Sequence, residues 1–392
     1  MIDKIVLEDK NNIRQIASFK NGVLKEFVRV DANRANEGNI YLGKIVKKIK
    51  TANGKEGYFV NIGEGKDAFI NAEEGVLEDL IAIEGQDVVV QVIQEARAEK
   101  GTRLARFLQI SGLCLVFNPY GDRITVSAKI DDVDKREFLE KIVAENVAEG
   151  GWIVRTFAVE VSEQDIVDEI EYLKNVFKDI VAKSKTSKSP CLLYSKDNIL
   201  QEIICRSAND IKKIIVNNHI VEEQLKDSFN VEYDVNAFKN EGVDDMIVDA
   251  LQKEVKLKCG GRIIIEETRA FVSIDVDSGE GFVQGNLGIL NKEAAIEIAR
   301  QIILRNLSGK IIIDFAGISE FKFLKNILDV LKDELREDPL KAKVLGLSRA
   351  GNVEIVRSRK RPTLNDLFTE ECLTCRGTGR VEKWNAQFVK KN

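Results

Sequence analysis

The sequence predicts a multidomain α/β protein that contains a small β-barrel. Its 392 residues correspond to two or three domains at about 150 residues each. Residues 36–112 are rich in short strands and punctuated by glycine, with turn signals about every eight to twelve residues, a pattern typical of a small barrel. Residues 256–369 alternate strand and helix patterns, as in a sheet covered by helices.

Composition narrows the function classes. Hydrophobic residues make up 44% and charged residues 31%, which excludes a disordered or collagen-like chain. No apolar run approaches the ~18 residues of a membrane span, and the start lacks a signal-peptide pattern, so we expect a cytoplasmic protein without a membrane partner. The net charge of −5 argues mildly against a nucleic-acid partner, although it can hide basic stripes.

The chain has one histidine, His219, within a predicted helix. A single histidine cannot supply a two-histidine acid–base pair, and no Ser-His-Asp pattern surrounds it. If the protein is a hydrolase, a metal ion held by carboxylates is therefore the favoured catalyst.

The first 255 residues contain three further regions besides the barrel. Residues 1–35 alternate as antiparallel strands, with Asn21-Gly22 as a hairpin turn. Residues 113–190 mix strands with two amphipathic helices and end in a polar, proline-terminated stretch. Residues 191–255 read as α/β, with helices predicted over 208–218 and 243–255.

The last region follows a strand–helix order from 256 to 369. Strands are predicted at 262–267 and 270–276, then a helix over 291–307 that Gly309 ends. The apolar strand 310–315 is typical of a sheet buried on both faces. A second helix ends before Pro339, and two strands follow.

Two aspartates mark a candidate metal site. Asp275 and Asp314 each stand at the carboxyl end of a predicted strand, and one loop and one helix join the two strands. Parallel neighbours of this kind place both carboxylates in the ligand crevice of the sheet. Like charges repel unless a cation lies between them, and Mg²⁺ suits a carboxylate pair completed by waters and phosphate. Asp277 shares their face and is a third candidate. Strand-end capping or turn formation is the structural alternative.

The six cysteines divide into two groups. Cys114, Cys191, Cys205 and Cys259 stand singly in apolar segments, as buried thiols do in a reducing compartment. Cys372 and Cys375 form a C-x-x-C followed by Arg-Gly-Thr-Gly, which resembles a zinc knuckle. Zinc takes four ligands and this motif supplies two. A redox dithiol and a zinc site completed within one chain remain alternatives.

Several motifs, in order, resemble the ribonuclease E/G family. They are SIDVDSG, EAAIEIARQ, IIIDF, LSRAGNVEIVRSRKR and CLTCRGTG, with GGWIVRT upstream. The resemblance implies an RNase H-like domain formed by 1–35 and 191–255. An S1 domain, an OB-fold barrel at 36–112, and a 5′-sensor at 113–190 interrupt it. A DNase I-like catalytic domain follows at 256–369, and a zinc-link and tail at 370–392.

The resemblance also implies an activity. Family members are endoribonucleases that cut single-stranded RNA, leave 5′-phosphate and 3′-hydroxyl ends and favour 5′-monophosphorylated substrates, here messenger or ribosomal precursor RNA in processing and decay. Asp275 and Asp314 match the pair that holds catalytic Mg²⁺. Arg155 and Thr156 match the pair that receives the 5′-phosphate. Cys372 and Cys375 match ligands of a zinc ion shared between two subunits, which implies a homodimer.

Other residues are expected to bind RNA. Phe59 and Phe69 match aromatics of the S1 face, where stacking on unpaired bases is worth ~1–3 kcal/mol each. Phosphate contacts are expected from lysines of one barrel strand, Lys44, Lys47, Lys48 and Lys50, and from a basic cluster, Arg349, Arg357, Arg359, Lys360 and Arg361. Core packing for the phenylalanines, a solvated face for the lysines and a surface ion pair for Arg155 are the alternatives.

The sequence departs from the family pattern in four places. Asp277 replaces a usual asparagine, the glycine-rich loop after it is shorter, and a further acidic residue after Asp314 is missing. The few residues after Cys375 predict that the family's small C-terminal domain is absent, so dimers are expected rather than tetramers. These departures motivate a second hypothesis, an RNA-binding protein of the same fold with impaired or lost nuclease activity.

Overall fold

The computed structural model describes residues 2–51, 54–71, 83–97, 100–207, 210–279, 287–317, 321–375, 377 and 379–381. Within them the chain is a mixed α/β protein with four sheets. Among the helices of this part of the chain, none is both long and apolar enough to cross a membrane.

The first sheet combines strands from two distant parts of the chain. Its strands are β1 (Lys4–Lys10), β2 (Ile13–Lys20), β3 (Val23–Asp31), β14 (Lys213–Val216) and β15 (Val231–Tyr233), in the order β15-β14-β1-β2-β3. The helices of this region are α3 (Ile199–Cys205), α4 (His219–Leu225), α5 (Ala237–Asn240) and α6 (Val243–Ala250). Residues 4–31 and 213–233 therefore share one sheet.

Two predictions in this region have different outcomes. The Asn21-Gly22 hairpin between β2 and β3 is confirmed, since both residues have positive φ (51° and 75°), as a tight two-residue turn requires. The helix predicted over 208–218 is wrong. Ile214 and Ile215 lie in β14, which pairs in parallel with β1 and with β15, and both side chains are buried.

The second sheet contains a closed five-stranded barrel. Its strands are β4 (Ile40–Lys50), β5 (Glu56–Asn61), β6 (Ala68–Asn71), β7 (Asp87–Gln94) and β8 (Arg103–Ala105). They pair in the order β4-β5-β6-β8-β7, and β7 pairs back with β4 to close the barrel. A sixth strand, β13 (Cys191–Tyr194), pairs antiparallel with β4, so the barrel sheet extends past the boundary expected near residue 190.

The third sheet belongs to residues 110–186. Its strands are β9 (Ile110–Ser111), β10 (Leu115–Asn118), β11 (Ile124–Val126) and β12 (Gly151–Val154), in the order β11-β12-β10-β9. Two helices pack on it, α1 (Val133–Asn146) and α2 (Glu163–Thr186). Side-chain caps from Asp132 and Ser162 explain where the helices begin. Trp152 is fully buried between sheet and helices and stacks on Phe117.

The fourth sheet carries the candidate catalytic residues. Its strands are β16 (Glu254–Lys256), β17 (Arg262–Glu267), β18 (Val272–Asp277), β19 (Gly309–Asp314), β20 (Lys343–Leu347) and β21 (Val353–Arg357). Their order is β16-β17-β18-β19-β21-β20, and β18 and β19 are parallel. The associated helices are α7 (Leu287–Leu304), α8 (Phe321–Glu334) and α9 (Leu364–Phe368).

Helices cover one face of this sheet, and the other face is partly open. Alternate residues such as Ile311 and Ile313 are buried against the core formed with α7 and α8. On the opposite face Ile312 is half-buried and Val356 is 42% exposed. The expectation that the strand at 310–315 is buried on both faces is therefore wrong.

The end of α7 also differs from expectation. Asn306, with φ of 52°, lies just after the helix, and the N–H of Leu307 donates to the carbonyl of Ile302. This is the bonding pattern of a left-handed helix end, in which asparagine can replace glycine. Gly309, the predicted stop, is instead the first residue of β19.

Candidate active site

Asp275 and Asp314 lie side by side on the open face of the fourth sheet. They are register partners on the parallel strands β18 and β19, so their backbones are about 4.8 Å apart. Both residues are exposed. Asp314 is the last residue of β19, whereas β18 continues to Asp277, so Asp275 lies inside its strand and not at its end.

The electrostatics of this pair favour a bound cation. Partial desolvation raises the pKa of Asp275, and the negative charges of Asp314 and Asp277 raise it further. Two carboxylates in this arrangement suit Mg²⁺, which accepts one or two carboxylates and keeps several waters. Within the residues that the structure describes, no group of three or more His, Cys, Asp or Glu side chains could hold a metal ion. The donor set here is therefore a two-carboxylate site.

Asp277 has other partners. Its Oδ2 accepts hydrogen bonds from Arg262 Nε at 2.9 Å and Nη2 at 2.6 Å, and its Oδ1 accepts one from the N–H of Gly279. The Gly279 N–H and the Arg262 guanidinium hold the pKa of Asp277 below its usual value. Asp277 shares the face of Asp275, as expected, but both its oxygens are engaged. The structure therefore does not add it to the pair as a free ligand.

A buried asparagine that the sequence reasoning missed fixes the chain just after Asp314. Asn291 on α7 is 1% exposed, and its side chain donates to the carbonyl of Ala316 at 2.8 Å and accepts from the N–H of Ala316 at 3.1 Å. The only signal in the sequence was an amide at an inward-facing helical position. Most of the shortened glycine-rich loop, residues 280–286, lies outside the described residues.

The basic cluster expected along the RNA path is divided between two ends of the sheet. β21 runs antiparallel to β19, with Ile313 opposite Val353 and Gly309 opposite Arg357. Arg349, exposed in the turn before β21, therefore lies at the Asp314 end. The residues from Arg357 onward lie at the other end, about 14 Å further along the strand.

Arg357 is a structural residue, and its expected contact with RNA is wrong. Its side chain is 2% exposed, and it donates from Nε and Nη2 to both oxygens of Asp338, whose side chain is fully buried. Its Nη1 donates to the side-chain oxygen of Asn306 and to the carbonyl of Leu307. These bonds use four of the five N–H donors of the guanidinium, and its burial keeps the side chain from a phosphate.

A row of four side chains crosses one face of the barrel. Strand register places Lys47 opposite Phe59, Phe59 opposite Phe69, and Phe69 opposite Arg103. The two phenylalanine rings are half-buried, and their centroids are 5.6 Å apart. Gly57 allows this arrangement, because a Cβ there would lie 2.6 Å from the Phe69 ring. The row has aromatic groups at its centre and a cation at each end.

The remaining lysines of β4 have mixed environments. Lys44 lies 3.7 Å from Asp87, and Lys48 lies 2.7 Å from Glu56 and over the ring of Tyr58. Both lysines are exposed. Acidic groups of the protein therefore partly balance the charges of Lys44 and Lys48, whereas Lys47 lies beside Phe59.

Arg155 and Thr156 follow β12 at the start of a 3₁₀ turn. Arg155 is half-buried, and its Nη1 donates to the carbonyl of Gly112 at 2.6 Å and lies 3.5 Å from Glu202. In the described residues all its side-chain bonds involve Nη1, which leaves the edge formed by Nε and Nη2 for another anion. Thr156 is exposed.

All six cysteines lie within the described residues, and no disulfide joins them there. Burial raises the pKa of Cys114 to about 12 and that of Cys205 to about 11, which makes both thiols unreactive. Cys114 is buried as expected, whereas Cys191, Cys205 and Cys259 are only half-buried. Cys372 is exposed, and N–H groups of Cys375 and Thr374 hold its pKa below the usual value. No third ligand for these two thiols is present among the described residues.

Comparison with known proteins identifies relatives of the chain. A model of the Ribonuclease E/G family matches residues 109–360. Ribonuclease G of Salmonella typhimurium (strain SL1344) is 31% identical over 94% of this chain and 82% of its own length. Ribonuclease G of Haemophilus influenzae is 32% identical over 95% and 82%, and Ribonuclease E of Synechocystis is 28% identical over 97% and 60%. The chain therefore belongs to the ribonuclease E/G family.

Proposed function

We propose that this protein is a Mg²⁺-dependent endoribonuclease that cuts single-stranded RNA and leaves 5′-phosphate and 3′-hydroxyl ends. The observation that carries the proposal is the register pairing of Asp275 with Asp314 on an open sheet face. The names of the relatives, Ribonuclease G and Ribonuclease E, support RNA as the substrate and RNA processing as the role.

The two carboxylates would hold the metal ion and present it to the scissile phosphate. When bound there, Mg²⁺ supplies a hydroxide nucleophile near neutral pH and neutralises negative charge at phosphorus. Arg262 orients Asp277 away from the pair and keeps a guanidinium beside it. Arg349, at the same end of the sheet, would bind a neighbouring phosphate. Asn291 holds the backbone after Asp314 in one conformation.

The barrel row supports binding of an unpaired strand upstream or downstream of the cut. Phe59 and Phe69 present ring faces for base stacking, which is independent of sequence, and Lys47 can pair with a phosphate. Binding of this kind requires unpaired bases, because a duplex hides the base faces. The row is therefore consistent with a preference for single strands.

Arg155 and Thr156 are proposed to bind the 5′-monophosphate. The Nε and Nη2 edge of Arg155 matches two phosphate oxygens in a forked geometry, and the exposed hydroxyl of Thr156 adds a donor. Glu202 and the Gly112 carbonyl hold Nη1 and so orient the free edge. This arrangement favours a terminal phosphate over a hydroxyl end.

Cys372 and Cys375 are proposed to hold half of a zinc site, completed by the same pair from a second subunit. Two thiolates satisfy half of a tetrahedral zinc ion, and hydrogen bonds from backbone N–H groups favour the thiolate form of Cys372. The protein would then be a zinc-linked homodimer.

One observation favours a second candidate, an RNA-binding protein of the same fold with impaired nuclease activity. The Arg262 guanidinium beside Asp277 offsets part of the rise in the pKa of Asp275 and opposes a metal ion electrostatically. Retention of both Asp275 and Asp314 supports the nuclease.

A cleavage assay separates the two candidates. The substrate is a 5′-monophosphorylated, A/U-rich single strand, incubated with Mg²⁺ or with EDTA. We expect cutting in Mg²⁺ only, with products that a ligase specific for 5′-phosphate ends accepts. Binding without cutting at any Mg²⁺ concentration would favour the second candidate, and cutting in EDTA would remove the carboxylate pair from the mechanism.

A further inference from the structure

The chain that follows the last strand of the fourth sheet contacts the barrel and the first sheet as well as its own region. We call residues 358–368 the connecting segment. The N–H of Glu95, just after barrel strand β7, donates to the carbonyl of Lys360 at 2.8 Å. Lys360 Nζ lies 2.7 Å from Glu37, just before barrel strand β4. At the other end of the segment, Phe368 contacts Phe27 of the first sheet, with ring centroids 5.7 Å apart. The base of the barrel is therefore attached to this segment at both its entry and its exit.

Arg97 makes two further attachments between the barrel and the fourth sheet's region. It follows β7 at the base of the barrel, and its Nη2 donates to Glu267 of β17 at 2.8 Å. Its Nε lies 2.5 Å from Asp366 of α9. The side chains of Arg97, Glu267 and Asp366 are 21%, 12% and 19% exposed, so these ion pairs are largely removed from water. One guanidinium thus joins the barrel to two separate elements of the fourth sheet's region.

The two acidic partners of Arg97 need its positive charge, because their own negative charges repel each other. Glu267 and Asp366 carry like charges close together, and burial and Asp366 both raise the pKa of Glu267 while Arg97 lowers it. Asn365 donates to the second oxygen of Glu267 at 2.7 Å, which orients the carboxylate toward Arg97. A planar guanidinium can contact both carboxylates at once through two nitrogens, here Nη2 and Nε, whereas an ammonium group is a single point of charge.

The attachment point and the carboxylate pair lie on the same strands. Glu267 is opposite Val272 in the β17–β18 pairing, and Asp275 is opposite Ile264. Three residues of extended strand separate the two levels, a distance of about 10 Å. The contact of Arg97 with Glu267 is therefore one of the attachments that hold the barrel relative to Asp275 and Asp314.

We propose that Arg97 is a positioning residue for cleavage of long RNA. By bonding Glu267 and Asp366 together, it fixes the barrel row of Phe59 and Phe69 relative to Asp275 and Asp314. A strand that spans both sites then reaches the carboxylates in one register. This inference rests on the proposed endoribonuclease activity and adds that the ion-pair junction, and not the barrel row alone, determines how well long substrates are used.

The test compares two substrates and three variants. The substrates are single-stranded RNAs of about 30 and about 5 nucleotides, the shorter one being too short to occupy an OB-type barrel and a second site together. The variants are Arg97→Ala, Arg97→Lys and a control, Arg336→Ala, which removes an equal charge from an exposed ion pair on the surface near α8. Initial rates in Mg²⁺ give kcat and KM for each pair.

For Arg97→Ala we expect the KM of the long RNA to rise about tenfold, with kcat on the short RNA changed less than about twofold. Arg97→Lys should recover part of the loss, because it keeps one ion pair, and the control should match the wild type. X-ray scattering of folded Arg97→Ala should show a larger radius of gyration, while far-ultraviolet circular dichroism at the assay temperature shows the wild-type content of sheet and helix.

Each other outcome has a definite meaning. If Arg97→Ala cuts the long RNA as well as the wild type does, or loses activity equally on both lengths, the positioning role is wrong while the nuclease proposal stands. If the wild type cuts neither RNA in Mg²⁺, the proposed function is wrong and the inference is overturned with it.

Discussion

Asp275 and Asp314 are direct register partners on two parallel strands, and their side chains leave the same open face of the sheet. The strands are joined by α7, whose core side packs against the opposite face. The pair is thus a product of the sheet's topology, since one crossover connection brings two residues that are 39 positions apart to the same level. The predictions below test what this pair and its surroundings do.

Asp314→Asn should lower cleavage by at least about 100-fold and leave RNA affinity unchanged. The substitution keeps the shape of an exposed side chain and removes one of the two charges available to a metal ion. Cleavage in Mg²⁺ and fluorescence anisotropy with labelled RNA measure the two properties. Asp329→Asn, at an exposed position on α8, is the control. Retained cleavage by Asp314→Asn would exclude Asp314 from the mechanism.

Arg155→Ala should lower the advantage of 5′-monophosphorylated over 5′-hydroxyl RNA by about tenfold or more, because a charge-assisted, forked interaction is lost. The ratio of kcat/KM values for the two RNAs reports this directly. Arg123→Ala is a matched control from the same region, since the Arg123 side chain is 86% exposed. A ratio that Arg155→Ala leaves unchanged would contradict the sensor assignment.

Cys372→Ser should lose zinc and shift the protein from dimer to monomer. A serine hydroxyl is a poor zinc ligand, and each subunit supplies two thiolates of the four ligands. Metal analysis and light scattering of the same sample measure both effects. Cys191→Ser, a half-buried single cysteine, should retain zinc and dimer. A wild-type dimer without zinc would refute the linkage.

Arg357→Ala should destabilise the protein by about 3–5 kcal/mol, because it leaves the buried Asp338 carboxylate without its partner. Denaturant unfolding measures the loss. RNA affinity of the folded fraction should match that of the wild type, and Arg336→Ala, in an exposed ion pair, should change neither property. Weakened RNA binding at unchanged stability would show that Arg357 contacts RNA after all.

Glu95→Gln should stabilise the protein at alkaline pH. Burial raises the pKa of Glu95 from 4.5 to about 7, and the charge of Glu37 contributes. In the unfolded chain the carboxyl ionises near 4.5, so between pH 4.5 and about 7 unfolding releases a proton and native stability falls as pH rises. Above about pH 7 the Glu95 carboxyl is ionised in both the folded and the unfolded chain, so it causes no further loss of native stability.

The melting temperature of Glu95→Gln should therefore exceed that of the wild type by about 2–4 °C at pH 8, and the difference should vanish near pH 4.5. Glu140→Gln, at an exposed position of α1, should behave as the wild type at every pH. A pH-independent difference for Glu95→Gln would indicate a cause other than ionisation.

The features that the sequence predicted well depend on local patterns. Asn21 and Gly22 readily adopt the positive φ values that their tight turn requires. Asp132 and Ser162 cap two helices whose apolar residues recur at helical spacing. The Asp275–Asp314 pair was predictable for a similar reason, because two strands joined by one helix commonly lie parallel and adjacent in the same sheet.

The features that the sequence did not predict depend on distant partners. The run containing Ile214 and Ile215 is short and apolar and has no decisive period, so only β1 and β15 on either side make it a strand. Arg357 looked like part of a basic cluster because its partner Asp338 is 19 positions earlier. Asn306 and Gly309 both favour helix ends, and only the hydrogen bond from Leu307 to Ile302 decides between them.

The pairing of β1 with β14 has a consequence for synthesis on the ribosome. Lys4 pairs with Lys213, so the N-terminal hairpin emerges long before its partner strand does. Through that interval β1 presents an unsatisfied edge of backbone amides and carbonyls, the kind of edge that recruits other strands. The barrel and the α1–α2 unit have local pairings and can close first. The first sheet can therefore be completed only after residues 213–233 have been synthesised, although β1 to β3 leave the ribosome first.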